Sequence, residues 1–166
     1  MNLLNKLKSH FFSFVDLLRE WLMLLPIRIF ISYEFVTSGL MKFNSNNWFA
    51  NYQDNFLFPF NLISVEISWF FVTWTEILGG LCLLFGLFTR FWATGLIIIS
   101  VVAISGVHWP ADWNNLSELW KGYSIRDEGF GNFKIPLLLI SMLIPLALSG
   151  AGKLSIDALR IRSRNK

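Results

Sequence analysis

Residues 91–107 read FWATGLIIISVVAISGV, an unbroken run without one charged side chain. An α-helix rises about 1.5 Å per residue, so about 17–25 apolar residues cross a hydrocarbon layer of roughly 30 Å. This stretch meets that length, and three neighbours share its character: approximately Trp21–Met41, Ile67–Thr89 and Phe133–Gly150. The last carries only Lys134, at its edge. Arg28 and Glu34 interrupt the first and Glu76 the second, yet Leu, Ile and Phe surround these charges with none of the alternation of a strand.

Composition agrees. Of 166 residues, 15% are charged and 54% hydrophobic, with a mean hydropathy of +0.52. A soluble domain carries roughly 25% charged residues to cover its exterior, so lipid is the expected solvent. The same deficit excludes a disordered or nucleic-acid-coating chain despite the net charge of +3. A single cysteine, Cys82, excludes an intramolecular disulfide and a Cys-pair metal site. The expected fold class is all-α, an integral membrane four-helix bundle with aromatic-rich outer loops.

Four spans place both ends of the chain on one side, and charge says which. Lys6, Lys8, Arg19, Arg90, Lys153, Arg160, Arg162, Arg164 and Lys166 fall on that side, against Lys42, Lys121, Arg126 and Lys134 on the other. Asp54, Glu66, Asp112, Glu118, Asp127 and Glu128 all lie in the two long opposite loops. The positive-inside rule therefore predicts cytoplasmic termini. Leu4, Leu7, Phe11, Phe14 and Leu18 recur at steps of three and four, which predicts an amphipathic interfacial helix over 1–20 rather than a cleaved signal peptide. A transmembrane domain over 21–152 and a basic cytoplasmic tail over 153–166 complete the expected organisation.

The outer loops hold Trp48, Phe49, Tyr52, Phe56, Phe58 and Phe60, then Trp109, Trp113, Trp120, Tyr123 and Phe130. Such rings prefer the headgroup level. They predict either a lid over the outer mouth or a simple anchoring belt.

Ionisable groups inside spans are costly and favour the interior with a partner. At about 100° per residue, Arg28, Glu34 and Lys42 fall within one arc of about 120° on the first span. Ser32, Phe35 and Gly39 extend that face, and Gly39 admits a close neighbour. Glu34 and Glu76 should reach similar mid-membrane depth, where either Arg28 pairs with one or at least one holds a proton. His108 ends the third span on the outer side, and Asp112 follows. The candidate site is thus a polar column of Arg28, Glu34, Glu76, Lys42, His108 and Asp112. It suits a structural ion-pair network, a proton or quinone-head site in which Arg28, Glu34 and Glu76 hold the head, or a metal site. His108 alone is a weak metal ligand, because such sites want two or more nitrogen or sulfur donors. Gly79, Gly80 and Gly86 predict tight packing, Pro145 predicts a kink, and Ser155 is expected to cap a short basic helix.

Arg28 with Gly39 and Lys42, Glu76 with Gly79-Gly80 and Gly86-Leu-Phe-Thr-Arg90, and Gly150-Ala-Gly-Lys-Leu-Ser-Ile-Asp157 together resemble the DoxX family of small four-helix bacterial membrane proteins. Asn47-Trp-Phe-Ala50, Phe58-Pro-Phe60, His108-Trp-Pro-Ala-Asp-Trp113, Glu118-Leu-Trp-Lys-Gly-Tyr123 and Gly129-Phe-Gly-Asn-Phe-Lys134 are similar to a narrower subset. Its members accompany the biosynthesis proteins of copper-binding, ribosomally made modified peptides. The resemblance implies an accessory role in maturation, docking or export of such a peptide in metal-stress defence, with lipid, peptide and biosynthesis proteins as partners and copper reaching the chain through the peptide. Alternatively it implies a quinone-interacting membrane subunit of an oxidoreductase. It carries over no catalytic residue, and no haem, flavin or iron–sulfur motif is present, so electrons would come from a partner. A small transporter ranks last, since four helices leave little room for a pore without a homo-oligomer and no inverted repeat is visible.

Overall fold

The computed structural model describes residues 3–110, 113–120 and 132–164, and its regular elements there are all helical. Helix α1 (Leu3–Leu22) takes Trp21, and α2 runs Leu25–Phe43. The first long apolar helix therefore begins later than the Trp21–Met41 expectation. Pro26 explains the shift, because proline lacks an N–H and is tolerated only in a first turn.

Three short 3₁₀ turns, Phe49–Asn51, Gln53–Asn55 and Phe60–Leu62, shape the first outer loop. Helix α3 (Val65–Phe85) starts at Ser64, whose hydroxyl accepts from the Ile67 N–H at 3.4 Å. It stops at Gly86, which sits in the left-handed region at φ 66° while Leu87 donates back to the Cys82 carbonyl. Only glycine takes that φ without a Cβ penalty. Helix α4 (Thr89–Ala103) loosens into a π-helical turn over Ile104–His108. A one-turn helix α5 (Leu116–Leu119), a helix α6 (Lys134–Ser149) that runs through Pro145, and α7 (Ile156–Arg164) follow. Ser155 caps α7, its Oγ accepting from the Ala158 N–H at 3.2 Å.

Helix α2 packs mainly on α3, α4 mainly on α6, and α3 on α4, whereas α2 and α6 touch only lightly. Ile31, Phe35, Leu83, Leu96, Leu143 and Leu146 form the common core. Close approach of α2 and α3 depends on glycine. A Cβ at Gly39 would stand 2.6 Å from Ile77 Cγ1, and one at Gly80 would stand 2.8 Å from Val36 Cγ2. Gly39→Leu is accordingly expected to destabilise the protein by about 1–3 kcal/mol through overpacking. The unfolding midpoint in a denaturing detergent series reads this, and an unshifted midpoint would mean that the helices separate freely there.

Several charged side chains are buried while many large apolar ones face outward. Arg28, Glu76 and Lys134 are buried while Phe91 and Leu148 are 70% and 72% exposed. A surface of Phe and Leu around a core that also holds these charges is stable against lipid tails, where intramembrane charges turn inward. Val65–Phe85 and Thr89–His108 are each long and apolar enough to cross a membrane, and α6 is apolar but shorter.

Candidate functional site

Glu34, Ser38 and Lys42 follow one another at four-residue steps along α2, so they stack on one face. The Lys42 side chain turns back along its helix. Its ammonium donates to Ser38 Oγ at 2.9 Å and to both carboxylate oxygens of Glu76 on α3, at 3.0 and 2.8 Å. All three ammonium donors are thereby committed. The pair is well buried, with 14% and 7% of the two side chains exposed. The partner of the Glu76 carboxylate is thus Lys42, not Arg28.

This pair forms part of the wall of a cavity of about 570 Å³. Glu34, His108 and Asn132 join it as polar lining, and Phe35, Val72 and Leu139 supply apolar wall. Trp48, Phe49, Phe56 and Phe60 from the first outer loop also line it. The rings interlock edge to face, with centroids 5.0 Å apart for Trp48–Phe49, 5.3 Å for Phe49–Phe56 and 4.9 Å for Phe49–Trp69. Gln53 ties the loop together by donating to the Phe60, Asn61 and Ile63 carbonyls. Phe56 closes onto the π-helical turn at Gly106, where a Cβ would run into its ring.

That turn carries His108, whose Nδ1 bonds Asn132 Oδ1. An amide oxygen only accepts, so the His108 Nδ1 is the donor in this contact. Glu34 lines the cavity with no hydrogen bond or ion pair to its carboxylate among the described residues.

Arg28 does not reach this group. It is 2% exposed, and its guanidinium donates to the carbonyls of Leu83 at 2.9 Å, Leu84 at 2.6 Å, Ala151 at 2.9 Å and Leu154 at 2.7 Å. The last carbonyls of α3 lack intrahelical partners, and a planar fork of five N–H groups fits them. Arg28 is therefore a tie between the end of α3 and the stretch before α7, outside the cavity lining and apart from Glu34 and Glu76, with which it was expected to form one column. Asp112 lies outside the described residues.

Three polar residues make contacts that the sequence reading did not assign to them. Ser38 could have been found, since it stands four residues before Lys42. Asn132 had a weaker signal, a polar residue just before an apolar run. Asp157 accepts from the N–H groups of Phe88 and Thr89, both at 2.9 Å, and caps α4 from across the chain. No local pattern announces that.

The pattern of the DoxX family matches residues 23–109, just over half of the chain, and takes in Arg28, Glu34, Lys42, Glu76 and His108. This chain belongs to the DoxX family. It is similar to an uncharacterized protein of Haemophilus influenzae, 43% identical over 136 residues that make up 82% of each chain. No solved structure matches it. As a DoxX protein with apolar helices it is a membrane protein. The matched range covers the α2, α3 and α4 walls of the cavity, while Asn132 and the α6 wall lie beyond it. Among the described residues no group of three or more His, Cys, Asp or Glu side chains is placed to hold a metal ion.

Proposed function

We propose that this DoxX protein is an accessory, multi-pass protein of the bacterial inner membrane that holds the polar head of a lipid-soluble small molecule in the cavity beneath its aromatic loop. In this reading α2, α3, α4 with its π turn, and α6 span the bilayer. Residues 1–20 lie in the inner interface, 21–152 form the transmembrane domain, and the basic tail 153–166 stays in the cytoplasm with the N-terminus.

One observation carries the ligand reading: the buried Lys42–Glu76 pair lines an otherwise largely apolar cavity large enough for a ring and the start of a chain. The hydroquinone form of a quinone, which donates two O–H groups, fits a site whose ammonium is already committed to Ser38 and Glu76. Glu34 and Glu76 would hold the head as acceptors, with Lys42 fixing Glu76 in place and His108 on the side of the loop. Such a group supplies two-electron, two-proton chemistry when bound. The contribution of this chain is to orient the head, to keep water out with Trp48, Phe49 and Phe56, and to exchange a proton at Glu76 Oε2 with Lys42 Nζ. Electrons come from a partner protein, so the chain is not an enzyme by itself. Purified protein is expected to retain quinone from its membrane, and Glu76→Gln to lose at least nine-tenths of it. Wild-type protein free of quinone, and inert in quinone binding, would defeat the reading.

The outer-loop block favours a second setting for the same architecture, in which the loops dock a copper-binding modified peptide during maturation or export in metal-stress defence. Copper then arrives as the cargo of the peptide. Deleting the chain should alter copper tolerance or peptide maturation, and unchanged values for both would remove this setting.

A further inference from the structure

The four long helices do not close evenly around the cavity. The α2–α3 and α4–α6 seams are extensively packed, but α2 and α6 touch only lightly. Residues on both sides of that light seam line the cavity: Glu34, Thr37 and Met41 from α2, and Ile135 and Leu139 from α6. Met41 and Ile135, the cavity residues on either side of this seam, are 68% and 45% exposed. The aromatic loop, held by Gln53 and seated on Gly106, lies over the outer side.

Glu34 stands on this seam with no partner for its carboxylate among the described residues. A carboxylate at mid-membrane depth is costly unless a donor reaches it. Lys42 has no N–H to spare, since Ser38 and Glu76 take all three. A ligand that donates a hydrogen bond would supply that partner.

We infer that the gap between α2 and α6 is a lateral portal through which a single-chain amphiphile enters from the outer leaflet, and that Glu34 at its threshold selects head groups that donate hydrogen bonds. This rests on the cavity being a ligand site, as proposed above, and adds the route and the class of head. For ring compounds it means the dihydroxy form in preference to the dione. The chain of the ligand trails through the portal into lipid, so a head without a chain binds weakly.

The test uses the full chain in lipid nanodiscs with three probes: decylhydroquinone, decylbenzoquinone and hydroquinone without a chain. Binding of the first is expected at least tenfold tighter than binding of either other probe. Glu34→Gln should bring the preference for the hydroquinone over the dione below threefold. Met41→Trp and Ile135→Trp, which fill the seam, should slow both association and dissociation of decylhydroquinone at least fivefold. A melting midpoint within a few degrees of wild type certifies each variant as folded; if Glu34→Gln fails that check, Glu34→Asp replaces it and should weaken decylhydroquinone binding at least threefold. Equal affinity for hydroquinone and dione, or a preference unmoved in the folded Glu34 variant, overturns the selective role of Glu34. Unaltered rates in both Trp variants overturn the portal. Absence of binding by every probe defeats the ligand site itself, which separates that failure from the other two.

Discussion

Lys42→Met is expected to destabilise the protein by about 3–5 kcal/mol, because it leaves the Glu76 carboxylate buried without its cation. Glu76→Leu should cost a similar amount by stranding the ammonium. The double variant, Lys42→Met with Glu76→Leu, should be more stable than either single variant and come close to wild type. Desolvating two charges offsets most of what their attraction gains, so removing both together costs little. The coupling is read from unfolding midpoints in denaturing detergent at fixed lipid content, taken around the double-variant cycle. Additive losses would show that the two side chains titrate the stability independently and that the 2.8 Å contact contributes no coupling. The same cycle separates fold from function. A double variant that folds well but retains no quinone would mean that the pair is maintained for the ligand rather than for helix pairing.

The sequence makes the architecture legible where periodicity and length act alone. Residues 91–107 announce a span because seventeen positions need no partner to be read, and Gly39 announces a close neighbour because a missing side chain has one consequence. Charges are harder. The shared face of Arg28, Glu34 and Lys42 follows from helical geometry, but the choice of partner does not. Lysine carries a long flexible stem, so Lys42 at the outer end of α2 bends back a full turn to meet Glu76. Arginine, which looks like the natural partner of a carboxylate, instead meets backbone carbonyls that exist only because α3 ends at Gly86. Backbone acceptors leave no trace in side-chain pattern. The His108–Asn132 contact joins residues 24 apart across the second outer loop, and the π-helical turn that carries His108 has no compositional mark. What failed to show in the sequence is therefore the set of contacts set by side-chain reach and by helix ends.

Arg28→Met is expected to lower stability by about 3–5 kcal/mol, the other large effect in the molecule. Hydrogen bonds to a charged donor contribute about 1.5–3 kcal/mol each, and four carbonyls accept from this guanidinium. Water at the inner face can reach part of the knot once the side chain is gone, which keeps the total well below the sum. Arg28→Lys should recover less than half of the loss, because a point-like ammonium cannot span carbonyls from two separate segments. The loss should also loosen α7. Its first residues are held to the α3–α4 link by Asp157, through Phe88, Thr89 and the Gly86 carbonyl, and Arg28 binds the stretch just before them. Faster proteolytic release of the basic tail in Arg28→Met, measured on protein in lipid, reports that loosening. A loss under about 1 kcal/mol with an unchanged cleavage rate would mean that water satisfies these carbonyls as well as arginine does. Fourteen residues along α2 separate Arg28 from Lys42, about 21 Å by helical rise. Sites more than about 10 Å apart with no shared partner add independently. The coupling between Lys42 and Glu76 should therefore be the same whether measured in the wild-type background or in Arg28→Met. A coupling that collapses there would show that the inner tie sets the register of α2 against α3 along its whole length, and with it the shape of the outer cavity.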